Sequence, residues 1–98
     1  MALNQELHRM RRDILAVSTA ALGELSGISR NRLSLYFSGT SQLHNTEILK
    51  LEDLFKDLEQ VVAAADPFPV SFQDVSRIKD LIQRAKAGEF AGDFRRQP

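Results

Sequence analysis

Apolar residues recur every three or four positions along most of this 98-residue chain, which is the spacing of one face of an α-helix. Apolar and polar residues do not alternate over any useful length, so strands are not needed to explain the pattern. A chain of this length is expected to form a single core. The sequence therefore predicts an all-α protein, a compact bundle of five helices.

Three of the predicted helices carry long apolar stripes. In the first, the apolar residues stand at alternating spacings of four and three: Leu3, Leu7, Met10, Ile14 and Val17. The fourth covers residues 46–65 after a cap at Asn45 or Thr46, and its stripe comprises Ile48, Leu51, Phe55, Leu58 and Val62, widened by Leu54 and Val61. The fifth starts at a capping box of Ser71 and Asp74, ends at Gly88, and carries Phe72, Val75, Ile78, Ile82 and Ala85.

Two shorter helices are predicted between residues 18 and 39. Ser18 can cap a helix that Gly27 ends, because glycine adopts a positive φ without steric cost. Ser29 can then cap a third helix, which ends before Gly39. The apolar face of this third helix comprises Leu33, Tyr36 and Phe37.

Residues 19–39, TAALGELSGISRNRLSLYFSG, resemble the helix-turn-helix of the lambda-repressor and Cro-like family, also called XRE-like. Leu22 and Gly23 fit the positions where the two motif helices pack closely, and Gly27 falls on the family's turn glycine. The core positions of the turn and second motif helix hold Ile28, Leu33 and Tyr36. Gly23 replaces the usual alanine, and Thr19 replaces a glutamine that often contacts a phosphate. With its flanking helices, the resemblance covers roughly residues 3–62.

In this family the second motif helix enters the DNA major groove with its N-terminal residues toward the base edges. The resemblance therefore implies a sequence-specific transcriptional regulator that binds double-stranded DNA, a small repressor of the phage or plasmid type. The implied base-reading residues are Arg30, Asn31, Arg32, Ser34 and Leu35. The implied phosphate contacts are Thr19, Ser29, Ser38, Thr40, Ser41 and Gln42.

The chain divides into three predicted parts: a helix-turn-helix DNA-binding domain (residues 1–66), the fifth helix (67–88) and a polar tail (89–98). Because members of this family usually bind DNA as two-fold dimers, we expect a homodimer. Helices one to four account for the compact unit of the family, which leaves the stripe of the fifth helix as surplus apolar surface. The candidate dimer interface is therefore Phe72, Val75, Ile78 and Ile82, with Phe90 and Phe94 as additions. Alternatively, the fifth helix folds back and completes the core.

The charge balance favours a second class of function. The chain has thirteen basic and thirteen acidic residues, so its net charge is zero, whereas DNA-binding domains are often strongly basic. Residues 1–46 hold five arginines against three acidic residues, and residues 47–66 hold two lysines against six acidic residues. The alternative is a protein-interaction adaptor or antitoxin-like module, which keeps the helix-turn-helix shape and binds a protein partner through the fourth or fifth helix.

Other classes of function lack the residues they need. The chain has no cysteine, no glycine-rich phosphate loop and no nucleophile beside an evident base, so we expect no catalysis, cofactor or small-molecule substrate. His8 and His44 stand far apart, so we expect no metal site and ordinary surface or half-buried roles. No apolar stretch approaches the roughly 20 residues that span a bilayer. With no evident signal peptide, these features predict a cytoplasmic protein that binds no membrane.

Overall fold

Five α-helices follow one another in the computed structural model, which describes residues 2–66 and 70–88, without the side chains of residues 2–4. They are α1 (Ala2–Leu15), α2 (Thr19–Ser26), α3 (Arg30–Phe37), α4 (Asn45–Ala65) and α5 (Val75–Lys86). No strand occurs in these ranges, which confirms the predicted all-α five-helix bundle. The predicted polar tail, with Phe90 and Phe94, lies outside the described residues.

The long helix α4 runs through the middle of the bundle and packs against α1, α2 and α5. Its buried residues are Leu51, Leu54, Phe55, Leu58, Val61 and Ala65. Val62, which the sequence places in the same stripe, is 42% exposed. The inner face is therefore centred on Leu58 and Val61, and Val62 lies at its edge.

Both α4 and α5 begin at positions other than the predicted ones. The first residue of α4 is Asn45, and His44 precedes it as the N-cap residue. The carboxylate of Glu47 accepts a hydrogen bond from the backbone N–H of His44 at 2.9 Å, which fixes this start. Asp74 is the N-cap residue of α5, so Phe72 lies before the helix. Prediction of a capping box that begins at residue 71 is therefore wrong by three residues.

The apolar stripe of α5 is covered by the protein's own core. Phe72 is 3% exposed and Ile78 is fully buried, while Val75 and Ile82 pack partly against the same cluster. In the described residues α5 contacts α2 and α4, and it does not contact α3. The fifth helix thus completes the core of the single chain.

The apolar stripe of α1 faces the solvent. Leu7, Met10 and Ile14 are 47%, 54% and 79% exposed. The helix ends at Leu15, and a left-handed Ala16 (φ 56°) turns the following Val17 into the core. We expected the fifth helix to carry the surplus apolar surface. In the structure the exposed apolar surface lies on α1 instead. None of the helices in the described ranges combines the length and apolar content needed to cross a bilayer.

Candidate nucleic-acid interface

The N-terminus of α2 is capped as the sequence predicts. Ser18 has an extended backbone, and its Oγ accepts a hydrogen bond from the backbone N–H of Ala21 at 3.0 Å. This bond satisfies one of the donors that the start of a helix leaves free. Ala21 and Leu22 are buried, so the capped helix is anchored in the core.

The turn between α2 and α3 is fixed by backbone geometry and one hydroxyl group. Gly27 has φ +80°, and its N–H donates to the carbonyl oxygen of Gly23 at 2.9 Å. The Oγ of Ser26 donates to the carbonyl oxygen of Leu22 at 2.6 Å and accepts from the N–H of Ile28 at 3.2 Å. Since the Ile28 side chain is buried, the turn leads the chain directly into α3.

Gly23 allows the two short helices to approach each other through their main chains. A Cβ atom added at Gly23 would lie 3.0 Å from the carbonyl oxygen of Ile28 and 3.4 Å from the backbone nitrogen of Arg30. Such a separation is tighter than ordinary van der Waals contact. The close approach explains why glycine occupies this position.

The helix α3 has one buried face and one open face. Ser29 is its N-cap residue, and its Oγ accepts a hydrogen bond from the backbone N–H of Arg32 at 3.4 Å. The buried face consists of Leu33, Tyr36 and Phe37. The exposed residues of the helix are Arg30, Asn31, Ser34 and Leu35. Four of the five predicted base-reading residues thus share an open face.

Arg32, the fifth predicted base-reading residue, is held at the edge of that face. Its Nη1 atom lies 2.8 Å from Oε2 of Glu47, which belongs to the first turn of α4. The Glu47 side chain is only 16% exposed, so this ion pair is partly shielded from solvent. Arg32 therefore links α3 to α4, a contact that the sequence did not predict.

The loop after α3 folds around the carbonyl oxygen of Leu35. This oxygen accepts hydrogen bonds from the N–H groups of Thr40 and Ser41 at 2.9 and 3.2 Å and from the Ser38 hydroxyl at 2.9 Å. The hydroxyl oxygens of Ser38 and Thr40 lie 2.9 Å apart, and Gly39 has φ +82°. Two hydroxyl groups are therefore held together on the exposed surface beside α3.

The predicted phosphate contacts differ in exposure. Ser29, Ser38, Thr40 and Gln42 are exposed, whereas Thr19 and Ser41 are half-buried. The hydroxyl oxygen of Thr19 accepts a hydrogen bond from Nη1 of Arg12 at 3.3 Å. The Arg12 guanidinium also lies 4.6 Å from the centre of the Phe37 ring. A cation therefore stands at the N-terminus of α2, where the resemblance implied only a threonine.

A polar cluster, buried at His8 and Tyr36 and partly exposed at its acidic members, connects α1 to the inner face of α3. His8 is 2% exposed and hydrogen bonds through Nδ1 with the Tyr36 hydroxyl and through Nε2 with the Glu52 carboxylate. The guanidinium of Arg11 bonds to Glu52 at 3.1 Å and to Glu59 at 2.7 Å. These contacts join α1, α3 and α4, so they position the helix that carries the open face.

The cluster shifts the ionisation of its members. The hydrogen bond from His8 is the main reason that the pKa of Glu52 lies below its ordinary value, and Arg11 adds to this effect. Burial raises the pKa of Tyr36, and the negative charge of Glu52 raises it further. The pKa of Arg11 is also raised, first by its hydrogen bond with Glu59. Glu52 is therefore held as a carboxylate beneath α1.

The sequence did not reveal this cluster because its members lie far apart along the chain. In the sequence His8 is an isolated histidine, and Glu52 is one of several acidic residues expected on the solvent side of the fourth helix. The signal that could have indicated the cluster is the position of His8 on the polar side of α1, which is the side that packs against the bundle. In residues 2–66 and 70–88, no three histidine or acidic side chains are grouped as metal ligands would be.

Comparison of this chain with protein-family models, with curated proteins and with solved structures finds no match.

Proposed function

We propose that this protein is a sequence-specific regulator of transcription, a small repressor that binds double-stranded DNA as a homodimer and inserts α3 into the major groove. The observation that carries the proposal is the open face of α3, which follows directly after a capped, glycine-containing turn. Arg30 and Asn31 stand at the N-terminal end of that face, which is the end that helices of this kind direct toward base edges.

The chemistry of the open face suits base recognition. An arginine can donate two hydrogen bonds to guanine, an asparagine can pair with adenine through one donor and one acceptor, and a leucine can contact a thymine methyl group. Arg30, Asn31 and Leu35 provide these three groups on exposed positions of one short helix. Since α5 packs against α2 and α4 and does not contact α3, it does not cover them.

Polar groups around the open face suit the DNA backbone. The exposed hydroxyls of Ser38 and Thr40 lie beside the C-terminal end of α3, and the Arg12 guanidinium lies at the N-terminus of α2. Hydroxyls, helix N-termini and arginines are the usual phosphate ligands in protein–DNA complexes. Because few cations are involved and the net charge is zero, we expect modest affinity for random DNA.

The proposal is tested by selecting bound sequences from a random duplex library and then measuring affinity at several salt concentrations. We expect two half-sites about one helical turn apart and binding that weakens steeply as salt rises. Arg30→Ala should lower affinity for the selected site roughly 5- to 150-fold, with little change on random DNA. Arg77→Ala is the matched control, because Arg77 is an exposed arginine on α5.

The absence of any DNA binding at low salt, for a protein with an intact helical spectrum, would overturn the proposal. Equal losses on selected and random DNA would remove Arg30 from the base-reading residues. Failure to bind DNA would favour the protein-interaction adaptor, for which the zero net charge and the exposed stripe of α1 are the supporting observations.

A further inference from the structure

Glu47 binds two groups at once through the two oxygens of its carboxylate. Oε1 accepts a hydrogen bond from the backbone N–H of His44 at 2.9 Å, and Oε2 lies 2.8 Å from Nη1 of Arg32. The first contact belongs to the start of α4, so it fixes the carboxylate independently of Arg32. A fixed anion in the first turn of α4 therefore stands beside α3.

Arg32 is held both at its backbone and at the end of its side chain. Its backbone N–H donates to the Oγ of Ser29 at the N-terminus of α3, and its guanidinium is bound by Glu47. The Arg32 side chain is 39% exposed and that of Glu47 is 16% exposed, so salt screens this pair less than it would screen a fully exposed one. Arg32 can reach another anion only by breaking this contact.

Arg30 differs from Arg32, although the two lie only two positions apart on the same helix. Arg30 is exposed and forms no ion pair within the ranges that the structure describes. The affinity of a protein for DNA depends on the number of its cations that neutralise phosphates and release counterions. Since the charges of Arg32 and Glu47 compensate each other, Arg32 supplies no such cation while the pair is intact.

We propose that Glu47 withholds the Arg32 guanidinium from DNA and thereby limits the affinity of this protein for duplexes of any sequence. This inference rests on the proposed function, and it assigns a restraining role to an acidic residue that lies outside the open face of α3. Arg32, which the sequence placed among the base-reading residues, is then a positioning residue that joins α3 to α4. Base reading is left to exposed residues such as Arg30 and Asn31.

Glu47→Gln tests the restraint. Glutamine keeps the side-chain oxygen that a capping box needs and removes the charge that holds Arg32, so α4 should begin at the same residue. We expect this variant to bind selected and random duplexes alike about tenfold more tightly at low salt, because the released guanidinium can contact a phosphate. The slope of log affinity against log salt concentration should steepen by about 0.9, which is the contribution of one phosphate contact.

Two matched controls separate the release of Arg32 from the mere loss of a negative charge. Glu24→Gln removes an exposed carboxylate from α2, and we expect it to tighten binding only about twofold. Adding Glu47→Gln to Arg32→Met should also tighten binding about twofold, since no guanidinium remains to be released. Arg32→Met alone should leave the preference for the selected site over random DNA unchanged within about twofold, because no base contact is lost.

NMR of the arginine side chains tests the same contact in the wild-type protein. We expect the Nε–H signal of Arg32 to keep its position when the selected duplex is added, while the signal of Arg30 shifts. In Glu47→Gln both signals should shift with DNA. The wild-type comparison needs no variant, so it decides the question even where a substitution disturbs folding.

Three results would overturn this inference and leave the proposed function standing. The first is a folded Glu47→Gln variant that binds DNA no more tightly than Glu24→Gln does. The second is a wild-type Arg32 signal that shifts with DNA as much as that of Arg30. The third is a loss of affinity on Arg32→Met that is confined to the selected site, since it would return Arg32 to the base-reading residues. A wild-type protein that binds no duplex at low salt would instead refute the proposed function, and this inference with it.

Discussion

Helices α1 and α5 are both amphipathic, and they are attached to the bundle in opposite ways. Helix α5 buries its apolar stripe, with Ile78 fully covered, against α2 and α4. Helix α1 is held by its polar side, through His8, Arg11 and Arg12, and leaves its apolar stripe in solvent. The apolar period of a sequence thus identifies a face that needs cover, and it does not say whether the same chain provides that cover.

The two modes of attachment have different energetics. Burial of apolar surface stabilises the fold in proportion to the area buried and has no preferred direction, so α5 is held by packing. A buried polar cluster contributes little net energy when it is complete, yet removing one member leaves the others unpaired at considerable cost. In the described residues every buried side-chain nitrogen or oxygen has a partner, so the cluster under α1 is complete. Three pairs of variants distinguish the two modes.

The largest difference is expected between the same substitution on the two stripes. Ile78→Ala should lower the free energy of unfolding by about 3 kcal/mol, because it opens a cavity in the core. Ile14→Ala should change it by less than about 0.5 kcal/mol, since that side chain is 79% exposed. Urea unfolding at about 1 µM protein, a low concentration that disfavours self-association, measures both values. Equal losses would mean that the apolar face of α1 is covered within one chain.

The two histidines give the next largest difference. His8→Ala should lower the free energy of unfolding by about 2 kcal/mol, because the buried hydroxyl of Tyr36 loses its partner. His44→Ala, an exposed position, should cost less than about 0.5 kcal/mol. Adding Tyr36→Phe to His8→Ala removes the unpaired hydroxyl, so we expect the double variant to lose less than the sum of the single losses. Strict additivity would show that the two groups are not coupled.

The smallest difference concerns acid sensitivity. Because the pKa of Glu52 is lowered in the folded protein, its contribution to stability is present above the ordinary value of 4.5 and is lost as the pH falls through the lowered pKa. The wild type should therefore lose more stability between about pH 5 and pH 3 than Glu52→Gln does. Glu24→Gln, on the exposed side of α2, should follow the wild type. Thermal unfolding across this range would contradict the prediction if all three proteins kept the same slope.

Much of the fold could be predicted because its determinants are local. The caps at Ser18 and Ser29 and the left-handed Gly27 act within a few residues, so the boundaries of α2 and α3 followed from the sequence. The start of α5 was misplaced because Asp74 is itself the N-cap residue, whereas the prediction made it the capping-box partner of Ser71. In such a case, propensity alone does not decide between two polar residues that lie three positions apart.

The orientation of α1 and the polar cluster could not be predicted from the sequence because their determinants are distant. His8 meets Tyr36 and Glu52, which are 28 and 44 residues further along the chain. Polar side chains are usually assigned to solvent, and an apolar stripe is usually assigned to the core. The open face of α3, in contrast, could be predicted because its determinants are local. Leu33 and Tyr36 mark the buried side of the helix and lie within four residues of the exposed positions.

The main-chain contact of Gly23 with Ile28 has a consequence for how this protein can evolve. Since α2 and α3 approach each other closely through the main chain at Gly23 and Ile28, this approach does not depend on which side chains α3 carries outward. Exposed positions such as Asn31 and Ser34 can then drift without tilting the helix that bears them. Under the proposed function, a scaffold of this kind can acquire a new target sequence by surface substitutions alone, without a change in the packing of α2 on α3.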